Sequence, residues 1–297
     1  MAGLAQREQS PFDLSSEAAY QRWRERKLEQ APRTINELII EVEDAENLSA
    51  AEHAALLACC RRANMAIYVN RKHDSSKDVA RNVGRQFGLV NLDANWLADE
   101  DGVTQITVNS EGTRQGFIPY TSRPIKWHTD GYYNSPERQI HAMVLHCAQS
   151  AAEGGENRLM DHEIAYLLLR DTDPELAQAL FAPDAMTIPG RMDEDGVARL
   201  AQAGPVFSVG KNGVLHMRYT ARTRSIEWRQ DEATLAAVAM LEKLLDSALP
   251  YIYRARLEPG MGLLCNNVLH DRAGFRDDPD RPRLLQRARF YERIAGS

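Results

Sequence analysis

Cysteine is scarce in this chain and carries no pattern. Cys59, Cys60, Cys147 and Cys265 are the only four among 297 residues, and no two stand in a C-x-x-C spacing. That argues against a zinc-finger or disulfide framework and for buried or free thiols in a reducing compartment. Long apolar runs are missing too. ALLACC is among the longest uncharged ones, well short of a membrane span. The N-terminus, MAGLAQREQSPFDLSSEAAY, lacks the apolar core of a signal peptide, so a cytoplasmic protein with no membrane partner is expected. Basic excess is absent: the net charge of −6 argues against broad nucleic-acid binding, which needs a basic face. No G-x-G-x-x-G and no phosphate-binding loop occurs, which speaks against dinucleotide or NTP chemistry. No repeat or low-complexity linker divides the chain.

What is present is ordinary globular material, 43% hydrophobic and 26% charged, enough for a large core. Residues 15–30 read as an exposed helix with a Tyr20/Trp23/Arg24/Leu28 stripe, followed by Pro32. A strand is expected around Leu38–Val42. Ser49-Ala-Ala-Glu52 is a capping-box pattern that opens the helix carrying Cys59 and Cys60. MAIYVNR (65–71) is strand-like, and the segment up to Gly88 returns to helix. From about residue 103 the texture changes to short β-rich runs punctuated by Gly, Pro, Asn and Asp. Two helical insertions interrupt them, at 162–181 and 231–249. Thr172-Asp-Pro-Glu175 reads as a second capping box with Pro174 in the first turn. Eight or so strands with long connections suggest a sandwich or small barrel, mostly β with helical insertions. The expected division is an N-terminal helical extension with the first strand (1–50) and one catalytic domain (51–297).

Chemistry concentrates in WHTDGYYN (127–134). Alternate residues of a strand face one side, so His128 and Asp130 can present two ligands together. Alone, an H-x-D pair is a weak signal. A third candidate, His270, ends GMGLLCNNVLH far downstream. Two His and one carboxylate on one face of a metal form the triad of non-haem iron oxygenases, which leaves sites for a co-substrate and oxygen. In RPRLLQRARF (281–290), Arg283, Arg287 and Arg289 fall on one strand face. A buried Arg needs a partner, and a dicarboxylate would supply one through bidentate hydrogen bonds. Arg289 is better read as surface or structural.

Together these segments resemble the TauD/TfdA family of Fe(II)/2-oxoglutarate-dependent dioxygenases. WHTDGYY is similar to its H-x-D segment, GLLCNNVLHDRAGF to its distal-His segment, PRLLQRARF to its arginine strand, and EGGENRLMD (153–161) to its GG-[DE] turn. HDRAGF adds a flavour of the γ-butyrobetaine hydroxylase and clavaminate synthase branch. The four motifs keep their order from about residue 60 to 294. The resemblance implies a double-stranded β-helix (jelly roll) with flanking α-helices. It implies Fe(II) held by His128, Asp130 and His270, 2-oxoglutarate gripped by Arg283, and O2 as co-substrate. Asn157 stands where a Thr helps hold the co-substrate in taurine dioxygenases. Arg287 matches a position that faces an anionic substrate group. Family halogenases replace the H-x-D carboxylate with a small residue, so Asp130 implies hydroxylation-type chemistry.

Tyr132, Tyr133 and Asn134 are candidate pocket residues, and aromatics there suit an ammonium group. Arg218 is a further candidate, in GVLHMRYT. Asn266 and Arg272 flank His270 as candidate supports. His141, His146 and His162 read as core or surface histidines. The expected partner is a small molecule: an organic acid, amino-acid-like or betaine-like compound. The N-terminal helix offers a surface for a homo-oligomer, or folds back on its own barrel. Loops 72–80, 100–125 and 186–205 would shape the pocket, the last as a lid. Two alternatives stay open: a Zn(II) or Mn(II) hydrolase or isomerase on a related barrel, and a non-catalytic binding relative.

Overall fold

In a computed structural model of the protein, residues 10–72, 75–93, 102–108, 117–193, 196–222 and 226–297 are described. Each of the three loops expected to shape the pocket has a part outside the described residues, at 73–74, 109–116 and 194–195.

Ten strands build two sheets. They are β1 (Ile39–Val42), β2 (Met65–Asn70), β3 (Val103–Ile106), β4 (Ile125–His128), β5 (Ala142–Gln149), β6 (Asn157–Met160), β7 (Tyr253–Ala255), β8 (Met261–Cys265), β9 (Leu269–Arg272) and β10 (Leu284–Phe290). The major sheet has the order β1-β2-β8-β5-β10-β3 and the minor sheet β7-β6-β9-β4. All pairings are antiparallel except β1 with β2. This is the jelly-roll class expected, as two open sheets rather than a closed barrel. β2, MAIYVN, is buried at all but one position, as suits a central strand covered on both faces. The chain passes from β8 of the major sheet to β9 of the minor sheet through Asn266, Asn267 and Val268, a connection that proves central to the site.

Six helices flank the sheets: α1 (Glu17–Gln30), α2 (Ala50–Ala63), α3 (Val79–Gln86), α4 (His162–Thr172), α5 (Pro174–Ala179) and α6 (Glu232–Asp246). The Ser49/Glu52 capping box is formed. The second expected box is not. Asp173 caps α5 by accepting from the Glu175 N–H, while the Thr172 hydroxyl turns back to Leu168. α2 and α3 share one apolar cluster with the major sheet, including Leu56, Ile67, Leu145, Leu263 and Phe290. α4 and α6 share the other with Trp127, Met160 and Leu269 of the minor sheet. The four cysteines are free and buried.

The N-terminal helix is less exposed than its sequence suggested. Tyr20 is buried, and its hydroxyl donates to Asp171 at 2.7 Å. Trp23 meets Phe12 and Tyr166 edge-on. Lys27, outside the expected stripe, is buried because Asp161 (2.6 Å) and Glu163 pair with it. The face that offered an oligomer contact is thus spent on the chain's own α4. No helix among the described residues is long and apolar enough to cross a membrane.

Candidate metal centre and its cavity

His128 ends β4 and His270 lies on β9, and the two are directly cross-strand partners. Their ring centroids are 4.2 Å apart. Asp130 lies beyond the end of β4, so strand alternation does not place it. The turn does. Gly131 has φ +70°, and a Cβ there would come within 2.4 Å of Ile140, so the turn needs glycine. Asn267, itself at φ +50°, accepts the Asp130 N–H at 2.7 Å and donates to the Asp130 carbonyl at 2.9 Å. Asn267 is the support that sequence reasoning missed. The flanking candidates have other duties. Asn266 donates to Asn64 and Ser297, and Arg272 holds the carbonyls of Pro119, Thr121 and Arg123.

One ligand atom from each of His128, Asp130 and His270 lies within 4.8 Å of the others, the one such cluster among the described residues. Nδ1 of His128 lies 2.9 Å from the Lys126 carbonyl, and Nδ1 of His270 lies 2.9 Å from that of Val268. A carbonyl only accepts, so each Nδ1 carries the proton and each Nε2 keeps its lone pair. Burial, with His270 adding to it, pushes the His128 imidazole down to about 3, which keeps it neutral. Burial opposes the charge on Asp130, but Arg287 and Arg289 outweigh it and hold the carboxyl well below the usual range. Asp130 Oδ1 accepts from Arg287 at 3.1 Å, whereas its buried Oδ2 has no partner. Two lone pairs and an orphaned carboxylate oxygen, converging in a buried site, fit a divalent transition metal.

The arginines come from the other sheet. Arg283 precedes β10, is 4% exposed and stacks its guanidinium over Phe275 at 5.0 Å. A Cβ on Gly155, in the EGGEN turn, would lie 3.6 Å from its Nε. No salt bridge reaches Arg283 among the described residues, and burial lowers its pKa to about 10. A buried guanidinium without a carboxylate suits an incoming one. A register shift between Leu284 and Leu285 interrupts the simple alternation that placed all three arginines alike. Arg289 is structural, as expected: it pairs with Asp93 at 2.6 Å and donates to the Tyr133 hydroxyl at 2.9 Å.

A cavity of about 260 Å³ opens beside His128 and Asp130. Tyr132 and Tyr133 line it, as anticipated. So do Lys126, Arg191, Arg199 and Arg222, which the sequence did not single out. Three other candidates sit elsewhere. Asn134 closes a turn by donating to the Arg138 carbonyl and lines a different cavity. Arg218 is a backbone clamp: its three nitrogens donate to the carbonyls of Tyr132, Met186 and Gln202. Asn157 donates to the Asp271 carbonyl at 2.6 Å, so its amide N–H is already in use on the protein.

The model of the "Taurine catabolism dioxygenase TauD, TfdA family" matches residues 27–289. The chain belongs to the TauD/TfdA family. Among curated relatives, a uridine-5'-phosphate dioxygenase from an Amycolatopsis species is 33% identical over 175 residues, 56% of this chain and 60% of that protein. Another, from a Streptomyces species, is 31% identical over 207 residues, covering 64% and 70%. Among solved structures, the non-haem iron oxygenase OrfP in complex with Fe shares the fold at TM-score 0.59 and 16% identity, over 83% of this chain and 81% of that one. Asparagine oxygenase with Fe(II), 2S,3S-3-hydroxyasparagine and succinate follows at TM-score 0.57 and 17% identity, over 91% of each. The chain spans 60% of the Amycolatopsis relative's length, and membership of a dioxygenase family stands against the hydrolase and the non-catalytic alternatives.

Proposed function

We propose that His128, Asp130 and His270 hold the iron, that Arg283 receives the distal carboxylate of 2-oxoglutarate, and that the substrate is a phosphate-bearing small molecule with a flat ring, of the nucleoside 5'-phosphate type. One observation carries the substrate assignment. Among the described residues, six cationic side chains line the cavity beside the triad, against Asp130 as its one carboxylate. Arg287 is committed to Asp130 and Arg289 to Asp93. Lys126, Arg199 and Arg222 supply a field that favours a multiply charged anion. It disfavours a betaine, whose ammonium group would meet like charge, so the aromatic pair is better used on a flat ring than as an ammonium cage. Phe117, Tyr132 and Tyr133 offer that stacking surface. The relatives named as uridine-5'-phosphate dioxygenases support the same chemistry.

Bound iron with 2-oxoglutarate supplies oxidation of an unactivated C–H bond, with release of succinate and CO2. The chain's own contribution is positional. Asn267 and Gly131 fix the Asp130 backbone, the i−2 carbonyls fix both imidazoles, and the arginine wall orients the substrate's anionic end. The test is anaerobic titration with Fe(II), then 2-oxoglutarate, following the visible charge-transfer band, then addition of uridine 5'-phosphate or uridine. The expected result is a band that uridine 5'-phosphate perturbs at concentrations at least tenfold below those needed for uridine. A band that responds equally to both defeats the phosphate assignment. No band in folded, iron-loaded protein defeats the site.

A further inference from the structure

A cavity larger than the one beside the triad lies elsewhere among the described residues. It measures about 620 Å³ and lies across the H-x-D turn, behind the Arg218 clamp. The volume is in the range of small-molecule sites. His141, His162, His216, Arg218, Arg293 and Lys211 are among its walls, and no Asp or Glu lines it among the described residues. That is unusual for a chain of net charge −6.

The polar groups facing it have unspent capacity. His162 is 2% exposed. Its Nε2 meets the Leu215 carbonyl, and its buried Nδ1 has no partner. The His141 and His216 rings lie 4.6 Å apart and feel only burial and neighbouring positive charge, with no hydrogen bond contributing. Both are thereby held neutral, able to donate N–H to an acceptor. Arg218 is 5% exposed with only carbonyl oxygens as partners. The charged group that acts on it is Arg199, another cation. Arg293 donates to Asn64 Oδ1, and its Nε has no partner. Asp161 and Glu163 stand behind His162, but both pair with Lys27. Arg293 is half-buried and feels Asp161 and Glu163, whereas Arg218 is a buried cation without a carboxylate, a costly state that an anion relieves.

The geometry points to a second anion-binding site, lined by His141, His162, His216, Arg218 and Arg293, that takes a phosphate group, either free or as a phosphate monoester. It is not a preformed metal site, since the triad is the one metal-competent cluster among the described residues. It is also separate from the proposed substrate cavity, because Arg218, whose guanidinium binds the Tyr132 carbonyl, stands between them.

The test is calorimetric titration of the full-length protein with inorganic phosphate and, separately, with glycerol 3-phosphate. His141→Gln/His216→Gln addresses this cavity and Arg222→Gln the one beside the triad. We expect the double variant to weaken one phosphate-binding event at least tenfold, and Arg222→Gln to leave that event unchanged. Tighter binding of glycerol 3-phosphate assigns an organic monoester; equal or weaker binding assigns the free ion. If the double variant does not fold, Lys211→Glu at the exposed rim should weaken the same event several-fold. Phosphate binding that is absent in the wild type at 10 mM, on the order used for weak sites, overturns the inference. So does binding that only Arg222→Gln affects, an outcome that leaves the substrate assignment standing.

Discussion

The minor sheet brings imidazoles and a carboxylate to the cavity; the major sheet brings guanidinium groups. His128 and His270 face each other across one strand pair, and Asp130 follows within two residues. Arg283 and Arg287 approach from β10 and its leading edge, and Arg287 closes the gap by donating to Asp130. The difference teaches how the fold divides its labour. Ligand lone pairs need sub-ångström placement, and adjacent strands of one sheet supply it. On the proposed assignment, the grip on an extended dianion comes from the opposite wall, the second sheet. The two sheets should therefore fail differently when damaged.

The largest effect is expected on the minor sheet. His270→Ala or Asp130→Ala should lower iron affinity and turnover by more than the 10–100-fold typical of mere supporting residues, and the charge-transfer band should vanish with them. A band that survives either substitution at wild-type Fe(II) concentration would show that the triad is misassigned. On the major sheet, Arg283→Gln should spare iron binding and raise the 2-oxoglutarate requirement. Removing one partner of a buried charged pair costs about 2–5 kcal/mol, or roughly 30-fold and upward in apparent affinity. Equal loss of iron and 2-oxoglutarate in both variants would erase the distinction between the sheets.

How much of this was legible beforehand follows the same line. Local pattern was readable. H-x-D, the distal His and the arginine strand stood out as segments, although the Gly131 turn rather than strand alternation places Asp130, and a register shift breaks the alternation of the arginines. The capping box of α2 and the helices at 162 and 232 were readable for similar reasons. Contacts made where loops converge were not. Asn267 looked no different from Asn266, since both sit in one turn and only the left-handed φ of Asn267 turns its amide onto Asp130. Arg218 was offered as a substrate residue, but its carbonyl partners come from three separate segments. Arg191, Arg199 and Arg222 lie on segments whose path no periodicity fixes. The only hint was the polar GRMDEDGVARL stretch, already suspected as a lid.

A pH experiment sharpens the comparison by isolating the structural cation of the major sheet. Asp93 is pushed up by burial, but Arg289, Tyr291 and Arg138 outweigh that and hold its carboxyl below the usual value. A carboxyl lowered in the folded state stabilises above its unfolded pKa, about 3.9, and loses that contribution as pH falls through the folded value. Asp93→Asn removes the direct ion-pair partner of the nearly fully buried Arg289, so about 3 kcal/mol should be lost at pH 7. The gap between wild type and variant in urea midpoint should narrow as the pH falls below about 4, the unfolded carboxyl value. A gap that stays constant until the wild type itself unfolds in acid would mean that Asp93 does not carry the charge Arg289 needs.

The smallest effect is expected at Asn157, where the family resemblance and the structure pull apart. The resemblance assigns this position to the co-substrate, yet its Nδ2 is spent on the Asp271 carbonyl. That bond joins β6 to β9 close to His270, so Asn157 serves the minor sheet's placement of ligands rather than the dianion grip. Asn157→Ala should cost about 1 kcal/mol of stability, the worth of one neutral hydrogen bond. It should change the apparent affinity for 2-oxoglutarate by less than about threefold, because less than a kcal/mol of binding is at stake. Asn157→Thr, which restores a short hydroxyl, should behave like the alanine variant in stability. If Asn157→Ala instead raises the 2-oxoglutarate requirement as Arg283→Gln does, with stability untouched, then the amide turns from Asp271 to the co-substrate on binding. The minor sheet would then share in the grip assigned here to its partner.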